Sequence, residues 1–583
     1  MNHYGSIPEE DKNIDDEPGE QNASSRPFFG MFIGLCATLL CVYAFVQIKT
    51  IHVSVVEQSH VLDFGVSAKT SPHVILIVAD DLAWNSIGYS SDELAFVTPQ
   101  LTALAQDGII MNNFYAQEVC SPSRGSLLTG RYPLSIGMQY GMVAANAEWG
   151  MPLDETTLAE VLGDGGYNTH MLGKWHLGYF SPKFLPTARG FDSWTGYANG
   201  ENYYWSKKNP DYPQHSDFIS ANATCYSPYS ESDKHDYSTV FYTNKAVEII
   251  ENNGADSPLF LYVAYQAVHD PFVDYGKYDT GIPDSYFEDA VLSEIRSSVV
   301  GKTRQEYAKA LYLLDKGVGQ IVDALDSSGM LDNSYVIFMS DNGGCMYGGG
   351  KNGPLRGSKG ALFEGGIKVD SFIYSPLFGY GGTIYNGLMH ISDWFPTIMA
   401  LTGVSYVAED GYEFDGVNQL DGWMGKGNPR SALLYNMYQA IADYNFDIWT
   451  NGSFAVRDGR YKLMHTYDDP LYGDWYSADS VIEDDDELDS SDRCAQQFVK
   501  GKFTYWFFDL LEDPYETENL YSSTNQLHTM AKAKLYTLLP GYMEKAKTKK
   551  SIEFSDMAEV VWSAAGNHIL PWANLDESVP VLC

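Results

Sequence analysis

The chain is short of positive charge. It has 37 Lys and Arg against 76 Asp and Glu over 583 residues, a formal net charge of −39. Nucleic-acid phosphates are bound by a surplus of Lys and Arg, so nucleic acid is excluded as the main partner. The same field disfavours a bulk polyanion, and any anionic group has to be captured in a local basic pocket. Cysteine is scarce as well, with seven in the chain. No internal repeat is present, which excludes solenoid and propeller arrays. Low complexity is confined to "GGCMYGGGKNG" and an acidic insert, "IEDDDELDSSD" (Ile482–Asp492), which reads as a solvated loop.

Long uncharged apolar runs are also missing, with one exception: "FFGMFIGLCATLLCVYAFVQI", Phe28–Ile48. That length spans a bilayer. Residues 1–27 before it carry seven acids against Lys12 and Arg26 and read as a disordered acidic tail. The run is longer than a typical signal core, so residues 28–48 are expected to form an uncleaved transmembrane signal anchor, followed by a stem over 49–71. Cys36 and Cys41 lie in the span. Cys225, Cys345, Cys494 and Cys583 remain as an even set open to three pairings. Asn222 and Asn451 head glycosylation sequons, which suits a lumenal or extracellular location.

Beyond the stem, "HVILIVADD" (His73–Asp81) is an apolar run of strand length ending in two aspartates. Buried parallel strands read this way, and ligand groups collect at their carboxyl ends. "TPQLTALAQDG" places Thr98 as N-cap, Pro99 at the first helical position and Gly108 at the end. "GYNTHMLGKWHLG" (Gly166–Gly178) and "PLFLYVAYQAVHDPF" (Pro258–Phe272) read as strands running into loops. A long helix is expected over Arg304–Leu325, a strand in "SYVIFMSDNGG" (Ser334–Gly344) and an amphipathic helix in His390–Gly403. Strands alternating with helices imply an α/β sandwich over residues 72–425. After that the pattern alternates, with "RDGR" as a hairpin turn, so residues 426–583 are expected to form a smaller α+β domain with an antiparallel sheet.

Asp80-Asp81 and Asp341-Asn342 each set two oxygen donors at a strand's carboxyl end. Four hard oxygen ligands suit Ca²⁺ or Mg²⁺ over Zn²⁺. Arg124, Lys174, His176, His269 and Lys359 fall in strand-end loops or beside them. Cations near a metal suit an anionic ester, and His or Lys can hand a proton to a leaving alkoxide. Cys120, in "QEVCSPSRGSLLTGRYP", has no near partners for zinc. A disulfide stays open for it. A thiol hydrolase is disfavoured because nothing else builds an oxyanion hole.

"CSPSRGSLLTG" (Cys120–Gly130) and "GYNTHMLGKWHLG" resemble the two signatures of the sulfatases, with Leu172 a departure in the second. "ADD", "SDNGG" and "LRGSKGALFEGG" fit the same family. "FDSWTGYANGENYYW", "AYQAVHDPF", "ISDWFPT" and "LDGW" are similar to the arylsulfatase B branch (N-acetylgalactosamine-4-sulfatase-like). The likeness is close from His73 to Trp423 and looser beyond.

It implies an alkaline-phosphatase-like fold, and oxidation of Cys120 to formylglycine by a formylglycine-generating enzyme that reads Pro122 and Arg124. It also implies one Ca²⁺ per chain, held by Asp80, Asp81, residue 120, Asp341 and Asn342. A hydroxyl of the hydrated aldehyde would attack sulfur, helped by Asp341. His269 or Lys359 would protonate the leaving alcohol, His176 would take the proton that expels sulfate, and Arg124 with Lys174 would hold the residue 120 oxygens. The substrate implied is a sulfated carbohydrate or an aryl sulfate. Two rivals stand beside it: a phosphoester or phosphonate hydrolase of the same superfamily, and a non-catalytic lumenal protein binding sulfated glycans.

Overall fold

The computed structural model describes residues 71–229, 236–273, 281–379, 381–406, 413–439, 452–467, 503–547, 553–573 and 581–583. The acidic tail, the expected anchor at 28–48, most of the stem, the acidic insert, Cys494 and the Asn451 sequon lie outside them. Among the described residues, no helix is long and apolar enough to cross a membrane.

Strand His73–Ala79 is buried along its whole length. Side chains alternate across a strand, so Val74, Leu76 and Val78 enter one apolar core while Ile75, Ile77 and Ala79 enter another. A strand buried on both faces requires helices on both sides of its sheet. Helices Cys120–Thr129, Leu158–Asp164 and Trp394–Thr402 cover the first face. Pro99–Asp107, Ser238–Asn253 and Lys302–Ser327 cover the second.

Among the described residues the sheet has eleven strands. Ser334–Ser340, His73–Ala79, Leu259–Ala264, Asn168–Lys174 and Ser193–Tyr197 run parallel in that spatial order. Ser371–Tyr374 pairs antiparallel on one flank, and Ile219–Asn222 on the other. The mixed, largely parallel sheet of the expected α/β class is therefore present. Its register decides where the chemistry can sit. Ala79 pairs with Ser340, Val78 with Ala264, and Ala264 with Gly173. The carboxyl ends are level, so Asp80, Asp341 and Lys174 emerge side by side at one edge.

The smaller sheet expected near the C-terminus is also present. Ala432–Gln439, Gly452–Asp458, Tyr461–Tyr467 and Phe503–Asp509 form a four-stranded antiparallel sheet. The "RDGR" turn joins two of them through Gly459, whose φ of 56° favours a residue without a Cβ. Leu535 and Leu539 of helix Gln526–Lys545 pack on one face with Leu434, Val456 and Phe507. The other face packs Tyr435, Met464 and Phe508 against Tyr115, Phe363 and Ile367. The chain then returns to the larger sheet. Trp562 and Trp572 enter its first core, and Val581–Leu582 pairs parallel with Cys225–Pro228. A Cys225–Cys583 disulfide joins these strands, with Cα atoms 5.4 Å apart. Cys345 is disulfide-bonded too.

One local expectation fails. Thr98 stands at the N-cap of Pro99–Asp107, but its side chain makes no capping hydrogen bond. It accepts from Gly88 N–H and donates to Leu94 O instead. The helix amides are taken by Asp315, from helix Lys302–Ser327, which accepts from Gln100 N (3.2 Å) and Leu101 N (2.7 Å). A carboxylate at a helix N-terminus also complements the dipole, so a long-range acid replaces the local hydroxyl.

Burial pushes the Asp315 carboxyl up to about 7, with the two amides opposing it. Burial likewise raises Asp217 to about 6 and Asp370 to about 8. Their folded pKa values exceed the unfolded ones, so the folded chain binds more protons across this window and stability is lost as pH rises through it. Self-repulsion of the net negative charge acts in the same direction. The melting temperature of Asp370→Asn, relative to the unchanged chain, is therefore expected to rise from about pH 5 to about pH 8. A difference that stays constant over that range would contradict the assignment.

Candidate active site

Asp80 and Asp81 follow the first strand, and Asp81 is held in the left-handed region at φ 56°. Asp341 and Asn342 follow Ser334–Ser340, and Lys174 ends Asn168–Lys174. All five are buried at the common carboxyl edge. Helix Cys120–Thr129 places Cys120 at its first position, and every one of its residues is buried. Pro122 sits in the first turn, where an amide has no intrahelical partner, so its missing N–H costs nothing. Ser121 Oγ donates to His176 O (2.8 Å) and accepts from Val143 N (3.1 Å). Ser123 Oγ accepts from Gln117 N (3.0 Å). The two serines of "CSPSR" thus fix the helix start against neighbouring loops.

Three carboxylates meet three cations. Lys174 Nζ donates to Asp80 Oδ2 at 2.6 Å. Arg124 Nε and Nη2 both donate to Asp341 Oδ2, at 3.0 and 2.8 Å, and Nη2 lies 3.6 Å from Asp80 Oδ1. Lys359 Nζ reaches the Asp81 carboxylate at 2.8 Å. Burial opposes charge on Asp80, but Lys174, His269 and Arg124 outweigh it and hold the carboxyl below its usual range. Burial and the neighbouring Asp80 charge push Asp341 up. Lys359 resists burial because of Asp81 and is held well above its usual value.

Cys120 Sγ lies 3.6 Å from Asp80 Oδ1. Burial pushes its thiol up to about 12, so the unmodified sulfur is a poor nucleophile. His269 sits between groups that define its tautomer. Its Nε2 accepts from Lys359 Nζ (3.0 Å), and its Nδ1 donates to Asp270 O. His176 has φ 54° and faces Val143 O through Nε2 (3.1 Å), while its Nδ1 is buried without a partner. Burial and the Lys174 charge hold His176 well below its ordinary value, leaving it neutral. A cleft of about 270 Å³ opens onto His176, His269 and Lys359.

The donor set fits a hard divalent cation. Asp80, Asp81, Cys120 and His269 offer donor atoms within 4.8 Å of one another. Asp341 and Asn342 adjoin them: Asp81 N donates to Asp341 Oδ1 (3.3 Å), and Asn342 Nδ2 donates to Asp81 Oδ1 (2.7 Å). Asn342 Oδ1 is buried without a hydrogen-bond partner, as an oxygen reserved for a cation would be. Crowded carboxylates whose mutual repulsion raises Asp341 gain from a positive ion among them. Oxygen donors favour Ca²⁺, which leaves the imidazole of His269 better suited to proton work than to ligation.

All ten residues singled out from sequence lie at this edge. Sequence reasoning missed other residues lining the cleft, including Asn199, Glu201 and Asp211. The first two stand in "ANGENYYW", noted above only for its family likeness. It also missed Gly200, where an added Cβ would lie 2.7 Å from His176 Cε1.

Paired acids and cations on a largely parallel α/β sheet suit the hydrolysis of anionic esters. The comparisons narrow this. The sulfatase family model matches residues 72–404. Arylsulfatase J of Mus musculus is 34% identical over 474 residues, covering 79% of this chain and 74% of its own. Arylsulfatase A of Bos taurus is 30% identical over 515 residues, covering 83% and 90%. The crystal structure of Ps i-CgsB in complex with k-i-k-neocarrahexaose shares the fold at a TM-score of 0.64 and 24% identity, covering 85% of this chain and 98% of that one. The chain belongs to the sulfatase family.

Replacing Gly200 by Ala forces the His176 ring to shift. Displacements near an ångström cost up to about 100-fold in rate, so G200A is expected to lower kcat on 4-nitrophenyl sulfate by at least about tenfold with an unchanged melting temperature. An unchanged kcat would show that the ring position is immaterial.

Proposed function

We propose that the chain hydrolyses sulfate esters, on sulfated sugars or aryl sulfates, at a formylglycine made from Cys120 beside one calcium ion. One observation carries this most. Cys120 begins a buried helix amid acids and cations, and its thiol, which donates to Asp80 Oδ1 (3.6 Å), is pushed up to about 12 by burial, so it needs conversion before it can react. Bound together, the ion and the hydrated aldehyde supply a Lewis acid for the ester oxygens, a hydroxyl nucleophile and a route to release sulfate.

The chain's own residues do the rest. Arg124 and Lys174, fixed on Asp341 and Asp80, hold position 120 and leave positive charge for the developing anion. Lys359 and His269, 3.0 Å apart and open to the cleft, are placed to give a proton to the departing alcohol oxygen. His176, neutral with a free Nδ1, is placed to accept one. Asp80, Asp81, Asp341 and Asn342, with the oxygen at position 120, would hold the calcium. The formylglycine-generating enzyme is the implied modifying partner. Cys120 within the full sulfatase signature argues against a phosphoester or phosphonate hydrolase. A binding-only protein would not need to keep the full set of acids and cations.

The uncharged run at 28–48 supports a single-pass anchor with a lumenal or extracellular catalytic part. The exposed Asn222, whose Oδ1 accepts from Thr224 Oγ1 (2.7 Å), offers a glycan acceptor on that part.

Mass spectrometry of the native peptide spanning Cys120 is expected to show the aldehyde in place of the thiol. An intact thiol in active protein would sink the mechanism. Turnover of 4-nitrophenyl sulfate is expected to exceed that of the phosphate by at least about 100-fold, a gap of about 2.7 kcal/mol. Phosphate preference would reverse the assignment. An endoglycosidase shift that shrinks in Asn222→Gln is expected of membrane-fraction protein, and a shift unchanged by that substitution would exclude a glycan there.

A further inference from the structure

His176 is held from two sides. Towards the Cys120 helix, its O accepts from Ser121 Oγ (2.8 Å) and its Nε2 faces Val143 O (3.1 Å). On the other side lies the segment after strand Ser193–Tyr197. His176 N donates to Ala198 O (3.1 Å) and Trp175 N to Tyr197 O (3.0 Å). Gly200 abuts the ring so closely that an added Cβ would lie 2.7 Å from Cε1. Alanine and glycine have no side-chain polar group with which to fix that segment, so another residue must hold it.

Asp217 does so. Strand Ile219–Asn222 pairs antiparallel with Ser193–Tyr197, with Ile219 opposite Gly196. The same register carried two residues further sets Asp217 opposite Ala198. Its Oδ1 accepts from Ala198 N (2.9 Å), and its Oδ2 accepts from Asn199 N (3.0 Å) and Asn199 Nδ2 (2.8 Å). Asp217 is itself pinned, since its N donates to Lys207 O (2.8 Å) and its O accepts from Asn202 Nδ2 (2.7 Å). The residue is fully buried. Burying a carboxylate is costly, and here burial raises the carboxyl to about 6 against the three N–H donors. What the carboxylate supplies is a pair of acceptor oxygens at fixed spacing. An amide in its place would turn an NH₂ towards donors.

We propose that Asp217 is a positioning residue for the reaction. It clamps the backbone of Ala198 and Asn199 and, through Ala198 O and Gly200, sets where the His176 ring and its Nδ1 stand. This rests on the sulfatase reading and extends that site to a residue that acts on it through the backbone. In that reading His176 accepts its proton after the alcohol has left. A displaced ring therefore slows the release of sulfate and leaves capture and cleavage of the ester intact. Slowing the second of two steps lowers kcat and KM together and spares kcat/KM.

The test is Asp217→Asn, which keeps the side-chain shape. With the purified, aldehyde-bearing chain and 4-nitrophenyl sulfate, kcat is expected to fall by at least about tenfold. The ratio kcat/KM is expected to stay within about threefold, and 4-nitrophenol to appear in a burst of about one equivalent per site. A loss that falls on kcat/KM with KM unmoved overturns the inference. Added to His176→Ala, Asp217→Asn is expected to lower kcat by a further twofold or so at most, because residues that act as a unit are not additive. Losses that multiply would show that Asp217 does not act through His176. A third measurement needs no turnover. In the chain with Cys120 unconverted, Asp217→Asn is expected to speed amide hydrogen exchange over residues 197–202 and to leave strand His73–Ala79 as protected as before. Unchanged exchange over 197–202 removes the clamp, and protection lost over both segments assigns Asp217 to general stability instead. Failure of the wild type to turn over 4-nitrophenyl sulfate is a separate result. It overturns the sulfatase reading, and the exchange measurement then decides the clamp alone.

Discussion

The site depends on charge pairing away from water. Asp80, Asp81 and Asp341 stand at the ends of two adjacent parallel strands, buried and close enough to repel. Arg124, Lys174 and Lys359 come from a helix, a third strand and a loop to neutralise them. Ions gathered from five places hold only if the backbone register brings them together within a few tenths of an ångström. Leaving any one unpaired costs about 3–5 kcal/mol. In isolation such a cluster adds little stability over an apolar core of equal volume. The apolar sheet beneath it therefore bears that cost, and the return is a rigid polar pocket in a chain whose overall field repels anions.

The smaller sheet reaches this pocket through a second buried network. Lys462 Nζ donates to Glu364 Oε1 (3.0 Å) and Glu516 Oε1 (2.8 Å), Tyr115 OH donates to Glu364 Oε2 (2.7 Å), and Glu516 Oε2 accepts from Glu364 N (2.7 Å). Glu364 closes the loop that carries Lys359. Within that loop Gly365 N donates to Arg356 O (2.6 Å), Lys359 N to Gly344 O (3.2 Å) and Gly360 N to Glu118 O (2.8 Å). The antiparallel sheet thus props the segment that presents Lys359, close to both the Asp341-Asn342 turn and the start of the Cys120 helix.

The parts legible in the sequence share one cause. A strand buried on both faces must be apolar throughout, so "HVILIV" and "SYVIFM" mark themselves, and a polar pair directly after such a run has nowhere to go but the sheet edge. That made Asp80, Asp81, Asp341 and Asn342 readable. Arg124, Lys174 and Lys359 were readable as groups with a role but not as a matched set, because pairing Arg124 with Asp341 depends on strand order across 217 residues of separation. Asp315 could not be read as a helix cap for the same reason, and the local hydroxyl of Thr98 drew the assignment instead. Asp217 carried no signal at all. Its place opposite Ala198 follows from strand register, which no local pattern shows.

Cys120 has none of its surface open to solvent, and neither do Ser121 and Ser123 beside it. A protein that must grip the surrounding peptide cannot reach it. Chemistry performed on that sulfur by another macromolecule is therefore confined to the interval before the helix docks on the sheet. Were Cys120 converted by such an enzyme, specific activity in a purified sample would count the fraction of chains that met it before closing, a record of folding history that no later treatment of the native protein by that enzyme could amend.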